Sequence, residues 1–132
     1  MRKLWMLVMI PLLLAMSCDS KDGEQKSYKA ENLLKKAHKA RNYQMLVNLA
    51  DSLETTGELS TASANYWRGY ANDKMRKMRM AEFYWKSSME AAANSSSEES
   101  IDVYAKSASR LVNLLTVRGD YENALKVAEP TV

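Results

Sequence analysis

Residues 65–93, with the sequence NYWRGYANDKMRKMRMAEFYWKSSMEAAA, decide the fold of this chain. They predict two helices separated by a short polar turn. Gly69, Ala81, Trp85 and Ser88 fall at spacings that suit the contact between the two helices. Small residues at such positions let two helices approach closely, while one aromatic side chain fills the seam. The stretch therefore predicts a helical hairpin that stacks on other hairpins.

The same plan recurs on both sides of this hairpin. Tyr43, Met78 and Tyr121 occupy equivalent helix starts that lie 35 and then 43 residues apart, in the range of helical repeats. Apolar residues at helical spacing predict six helices, over residues 28–40, 43–55, 60–73, 75–93, 97–117 and 121–128. Gly57 and Gly119 are expected to end the second and fifth helices, and Pro130 the last.

The apolar stripes of these helices predict the core. Leu33 and Leu34 share the stripe of the first helix, Met78 and Trp85 that of the fourth, and Ile101 begins that of the fifth. The polar run 94–99 is interpreted as a turn between helices and not as a domain boundary. Within it, Ser96 and Glu99 have the spacing of a capping box.

Composition limits the fold class and the kinds of partner. The chain has 132 residues, which suits at most one domain, and its four glycines and two prolines are too few for the turns of an all-β protein. We therefore expect an all-α fold. The formal charge of +3 falls close to neutrality once Arg2 and Lys3 are assigned to a signal segment, so nothing in the charge balance favours nucleic acid.

The N-terminus predicts export. Basic residues at 2–3 precede an apolar run of about 13 residues, which is short for a membrane span and typical of a secretory signal. The stretch LLLAMSC resembles the lipobox of bacterial lipoproteins, with Ala15 in place of the commoner leucine. This resemblance implies a signal peptide over residues 1–17, lipidation of Cys18 and a flexible tether up to residue 27. It places the protein at a membrane of a Gram-negative bacterium, on the periplasmic face or in the outer membrane.

The repeats resemble the tetratricopeptide family, whose signature reads W-x2-L-G-x2-Y, then A-x3-F and a later P. Gly69, Ala81 and Trp85 match this signature, and RGDYENAL, from residue 118, is similar to the family's turn into a second helix. Four other positions differ: Asn65, Arg68, Asn72 and Ala93. The resemblance implies that residues 28–132 form a right-handed solenoid of about three antiparallel helix pairs. A lipoprotein signal joined to such repeats also resembles the exported N-terminal part of some Gram-negative sensor kinases, although no kinase residues are present.

The C-terminal helix leaves three interpretations open. It spans about nine residues, and a helix this short is marginal by itself. Either the chain is cut from a longer repeat array, or the exposed end is an interface for self-association or for a partner. In the third interpretation the helix folds back on Leu111 and Leu115 and is sufficient.

The sequence lacks the motifs of an enzyme. It has no phosphate-binding loop and no serine in a nucleophile elbow. His38 is the single histidine, on a lysine-rich helix that we expect to be exposed, so a transition-metal site has too few ligands. Core packing and exposed helix positions account for Met75, Met78 and Met80 better than soft-metal binding does. We expect a non-enzyme without metal or cofactor.

A candidate binding surface remains on the first helices of the predicted hairpins. Tyr66 and Tyr70 share one side of the third helix, and Lys106, Arg110 and Asn113 lie opposite the core stripe of the fifth. Tetratricopeptide proteins commonly bind extended peptides on such a concave side, and Lys106 with Arg110 is similar to the cationic part of a carboxylate clamp in some members. A solvated charged face is the alternative for these cations. The alternative function is a carbohydrate-binding lipoprotein that uses tyrosines 66 and 70 with tryptophans 67 and 85.

Overall fold

The computed structural model describes residues 29–129, and every regular element in that range is a helix. Helix α1 covers residues 29–39. It is followed by α2 Tyr43–Thr55, α3 Thr61–Lys74, α4 Met78–Ala93, α5 Glu98–Arg118 and α6 Tyr121–Ala128. The predicted all-α class is confirmed. The predicted signal segment, Cys18, the tether and Pro130 lie outside the described residues.

Three tight turns close the helix pairs in the same way. After α1, α3 and α5 the chain passes through a left-handed residue, with φ of 56° at Arg41, 63° at Arg76 and 86° at Gly119. The next N–H reaches back to a carbonyl five residues earlier, as in the 2.8 Å bond from Lys77 to Asn72. This closure satisfies carbonyls at the helix end and stops the helix. The end of α2 has the same closure, with a φ of 76° at Gly57 and a 2.9 Å bond from Glu58 to Leu53. The turns after α1, α3 and α5 differ from it in leading directly into the next helix.

Three helix starts predicted from the sequence intervals of 35 and 43 residues are confirmed. α2, α4 and α6 begin at Tyr43, Met78 and Tyr121, as the sequence interval predicts. The start of the fourth helix at residue 75, expected from apolar periodicity, is wrong. Residues 75–77 form the turn instead, because Arg76 takes the left-handed conformation although it is not a glycine.

The starts of α3 and α5 are capped by serines and joined to each other. Ser60 and Ser97 accept hydrogen bonds from backbone N–H groups three residues later, which is typical of N-caps. The capping box predicted at Ser96 and Glu99 is wrong. Glu99 Oε1 instead accepts from the hydroxyls of Ser60 and Ser63, each at 3.1 Å, so it links the start of α5 to the start of α3.

The core consists of apolar clusters between neighbouring helices. One cluster joins α1, α2 and α3 around Leu34, Leu46 and Leu53. A second joins α4, α5 and α6 around Trp85, Leu111 and Ala124, and a third links α3, α4 and α5. The buried residues between positions 29 and 129 therefore form several clusters and not one central core. Within residues 29–129, no helix is both long and apolar enough to cross a membrane.

Gly69 and Trp85 lie in close contact between the two helices of the central hairpin. A Cβ atom added to Gly69 would lie 2.5 Å from Cδ1 and 2.6 Å from Nε1 of Trp85. The indole is 1% exposed. The glycine therefore provides space for the aromatic ring, as the sequence predicts for this seam.

Buried hydroxyl groups connect α3, α4 and α5. Ser107 Oγ donates to Ser88 Oγ at 2.8 Å, and Ser88 Oγ donates to the carbonyl oxygen of Ala62 at 2.7 Å. Both serines are fully buried. Ala62 is near the start of α3 and Ser88 in the second half of α4, so these helices run antiparallel.

Three residues expected in the core are exposed. Leu33 is 46% exposed, Met78 40% and Ile101 63%. In α1 the buried line is formed by Ala30, Leu34 and Ala37 and leaves Leu33 to one side, while Met78 is the first residue of its helix. The buried face of α5 is rotated relative to the predicted one, so that Val103 and Ser107 are buried and Ile101 is not.

Candidate functional site

A pocket between α3 and α5 contains four of the five residues predicted for the groove. Its volume is about 710 Å³, and it is lined by Tyr66, Ala105, Lys106, Ser109, Arg110 and Asn113. Tyr66 comes from α3 and the other five from α5. The helical spacing of Lys106, Arg110 and Asn113 places them on one side of α5, because residues three and four apart are neighbours on a helix surface. Sequence reasoning did not select Ala105 and Ser109, two small side chains one turn apart that lie among these larger ones.

Tyr70, the fifth predicted residue, lies beneath this pocket. It is 7% exposed, and its ring is covered by Arg110, whose Cζ lies 4.9 Å from the ring centroid. This is a cation–π geometry. The Tyr70 side chain therefore positions Arg110 and presents little surface of its own.

His38, on α1, contacts the hydroxyl group of Tyr70. Its Nε2 is 2.6 Å from the hydroxyl oxygen of Tyr70, and the side chain is half-buried. The expectation that His38 lies on an exposed helix face is therefore wrong. The physical reason is tertiary: α1 packs against α3, and His38 is brought to Tyr70 across 32 positions of sequence.

The two cations of the pocket have different electrostatic environments. Lys106 Nζ lies 2.8 Å from Asp102 Oδ2, and this hydrogen bond raises the pKa of Lys106. Arg110 forms no ion pair with any residue between 29 and 129. Arg110 is therefore the cation that is available to an anionic group in the pocket.

The aromatic side chains near the pocket pack edge to face. The rings of Tyr66 and Trp67 are inclined at 76° and those of Trp67 and Tyr70 at 67°, with centroids 5.5 and 6.0 Å apart. Trp85 is buried in the seam between helices. These rings do not form the flat exposed platform that the carbohydrate alternative needs.

A second pocket lies beyond Tyr70. Its volume is about 500 Å³, and it is lined by His38, Lys39, Arg41, Tyr43, Tyr70 and Lys74. Lys74 Nζ lies 5.5 Å from the centroid of the Tyr70 ring. Sequence reasoning missed this pocket because it joins the turn after α1 to the end of α3, and no local pattern predicts that approach.

Comparisons with known proteins identify no relative. A scan against protein-family models found no match, and searches among curated proteins and among solved structures found no similar chain. The resemblance to tetratricopeptide repeats therefore stays a prediction from the sequence.

Proposed function

We propose that this protein is an exported, lipid-anchored helical-repeat protein that binds a protein or peptide segment in the groove between α3 and α5. The observation that carries this proposal is the convergence of Tyr66, Lys106, Arg110 and Asn113 on one pocket. The sequence predicts all four as residues of the groove. Their meeting in one concavity supports a binding role over a merely solvated face.

The chemistry of the groove favours an acidic or carboxylate-bearing segment. A guanidinium group binds a carboxylate through two parallel hydrogen bonds, and Arg110 is held over Tyr70, which contacts His38 in turn. Tyr66 offers an apolar ring with a polar tip. The amide of Asn113 is suited to the backbone of an extended peptide, since it both donates and accepts.

The repeated turns support a right-handed solenoid of about three antiparallel helix pairs, similar to tetratricopeptide repeats. After α1, α3 and α5 the left-handed closure leads directly into the next helix, and Gly69 and Ala81 allow close helix contact at the family's small positions. In such a solenoid the first helix of each pair lines the concave side. This arrangement suits the placement of the groove on α3 and α5. A role as the sensory part of a signalling protein and self-association through α6 stay predictions.

Fluorescence anisotropy of labelled peptides tests the binding proposal on the full chain. We expect an acidic peptide with a free C-terminal carboxylate to bind more tightly than the same peptide amidated, and a lysine-rich peptide not to bind. Arg110→Ala should weaken binding at least about tenfold, as loss of a charge-assisted bidentate contact predicts. Arg79→Ala, an exposed arginine outside the groove, is the matched control. Equal binding by both variants, or a response to oligosaccharides alone, would contradict the proposal.

Metabolic labelling tests the anchor separately. We expect radioactive palmitate to be incorporated into the wild-type protein and not into Cys18→Ala. Ser17→Ala keeps a small residue before the cysteine and should still be labelled. Labelling that persists in Cys18→Ala would refute the anchor without affecting the groove.

A further inference from the structure

Basic side chains that form no ion pair within residues 29–129 lie together at one end of the helical bundle. A pocket lined by Lys39, Arg41 and Lys74 brings the turn after α1 to the end of α3. A smaller cavity of about 110 Å³ brings Met78, at the start of α4, to Val117 at the end of α5. We call this end the turn face. It carries six exposed basic side chains that form no ion pair within residues 29–129: Lys39, Arg41, Lys74, Arg76, Lys77 and Arg79.

Among residues 29–129, four carboxylates lie at this end. Asp73, half-buried at the end of α3, lines the small cavity, and Glu122 pairs with Lys126 at 3.6 Å. The other two are engaged by neighbouring groups. Glu82 is bound by Arg118 at 2.8 Å and by Lys86 at 2.9 Å. Asp120 accepts a 2.8 Å bond from Asn123. Further acidic side chains lie towards the opposite end, near the turns 56–60 and 94–97: Asp51, Glu54, Glu58, Glu90, Glu98 and Glu99. The turn face therefore presents a positive field of its own although the whole chain is close to neutral.

Large apolar side chains are exposed beside these cations. Phe83 is 59% exposed, Met45 50%, Met80 44% and Met78 40%. Met45 lies in the first turn of α2, and the other three lie in the first half of α4. At the ends of α5 and α6 that meet here, Val117 is 82% exposed and Tyr121 64%. Clustered exposed apolar side chains mark interaction surfaces.

We propose that the turn face binds anionic phospholipid at a membrane surface. Unpaired Lys and Arg side chains are attracted to anionic headgroups, and neighbouring Met and Phe side chains are suited to the boundary between headgroups and acyl chains. An acidic protein would satisfy the cations, whereas a lipid surface satisfies both the cations and the exposed apolar side chains. The six cations of this surface do not include Lys106 or Arg110, although Arg110 and Asn113 also line the small cavity at Met78, and the surface does not require Cys18. It sets the helices end-on to the bilayer.

A fluorescent probe on α4 tests this proposal in the full chain. The background variant Cys18→Ser/Met80→Cys carries a bimane label and is mixed with nanodiscs of phosphatidylcholine alone or of phosphatidylcholine with phosphatidylglycerol. The apolar segment 4–16 is common to every sample, so a difference between lipids reports the turn face. We expect a blue shift of bimane emission only with phosphatidylglycerol, and its loss at about 1 M salt, where charges are screened within about 3 Å.

Two charge-reversal variants provide the comparison. Lys77→Glu/Arg79→Glu should weaken the lipid response at least about tenfold. Both positions are at the start of α4, where the helix dipole favours carboxylates, so circular dichroism should show an intact fold. Lys29→Glu/Lys126→Glu makes the same charge change away from the turn face and should leave the response unchanged. Equal shifts on both lipids, no shift on either, or equal weakening by the two pairs would overturn the proposal. An absence of any shift would leave an acidic protein as the occupant.

Discussion

Gly69 shows how one residue determines the geometry of the central hairpin. Replacing it with alanine should cost about 1 to 3 kcal/mol, because the new Cβ overlaps the Trp85 indole at 2.5 Å. Urea unfolding of Gly69→Ala, Trp85→Phe and the double variant measures the coupling. The smaller ring relieves the overlap, so the double variant should be about 1 kcal/mol more stable than the sum of the single effects.

Gly57→Ala is the matched control for this cycle. Gly57 has a φ of 76°, and nothing lies within 4 Å of an added Cβ. Alanine there is strained by the backbone alone and should show no coupling to Trp85→Phe. Coupling of similar size at both glycines would contradict the assignment of Gly69 as a space-making residue.

Replacing Arg76 with glycine should make the protein more stable. The φ of 63° at Arg76 costs a residue with a side chain about 1 to 2 kcal/mol relative to glycine. Arg76→Gly should therefore raise the free energy of unfolding by about 0.5 to 1 kcal/mol, after the greater freedom of the unfolded glycine is subtracted. Arg79→Gly, inside the first turn of α4, should lower it by about 0.5 to 1 kcal/mol. Losses of equal size in denaturant midpoints would show that Arg76 is not strained.

Replacing each of the two buried serines with alanine should lower the free energy of unfolding by different amounts. Ser88→Ala leaves the Ser107 hydroxyl without its acceptor and should cost about 1 to 3 kcal/mol. Ser107→Ala should cost less, about 0.5 to 1.5 kcal/mol, because Ser88 still donates to the carbonyl of Ala62. Thermal unfolding compares the two. Equal losses would indicate that Ser107 redirects its hydroxyl within its own helix.

Helix boundaries were predictable where the sequence carries a local signal. Helix α2 matches its predicted range, since Asn42 caps its start and Gly57 terminates it. The start of α4 at residue 75, expected from apolar periodicity, was wrong, because nothing in the residues around Arg76 marks a left-handed turn. Its N-cap, Lys77, makes no side-chain capping bond. Strong caps can therefore be read from sequence, whereas a strained turn without glycine cannot.

The candidate groove was predictable only in part. Lys106, Arg110 and Asn113 follow from the period of α5, which is a local property. The burial of Tyr70 and its contact with His38 depend on how α1 packs against α3. Contacts of that kind depend on tertiary structure, which explains why His38 was wrongly placed on an exposed surface.

Glu82 makes the free energy of unfolding of the protein depend on pH. It joins the start of α4 to the last residue of α5, and the hydrogen bond from Arg118, followed by that from Lys86, lowers the pKa of Glu82 below 4.5. A carboxylate with a lowered pKa contributes stability above its unfolded pKa and loses it as pH falls through the folded pKa. Acid should therefore weaken the contact between α4 and α5.

The test compares Glu82→Gln with the wild type over a range of pH. The variant should be less stable by about 0.5 to 1 kcal/mol at neutral pH, and the difference should shrink below pH 4.5. Glu90→Gln, which removes an exposed carboxylate of the same helix, should change stability by under about 0.5 kcal/mol at any pH. A constant difference for Glu82→Gln across the range would show that the ion pair with Arg118 is not responsible.

The hydrogen-bonded turns at Arg41 and Arg76 also determine how the chain meets a protease. Both arginines are exposed, and trypsin-like enzymes cleave after such residues. A protease binds its substrate as an extended strand, whereas these backbones are left-handed and closed by bonds of 3.2 Å from Asn42 and 2.8 Å from Lys77. Cleavage there requires the adjoining helix ends to unravel, so its rate reports local opening of each hairpin and not surface accessibility.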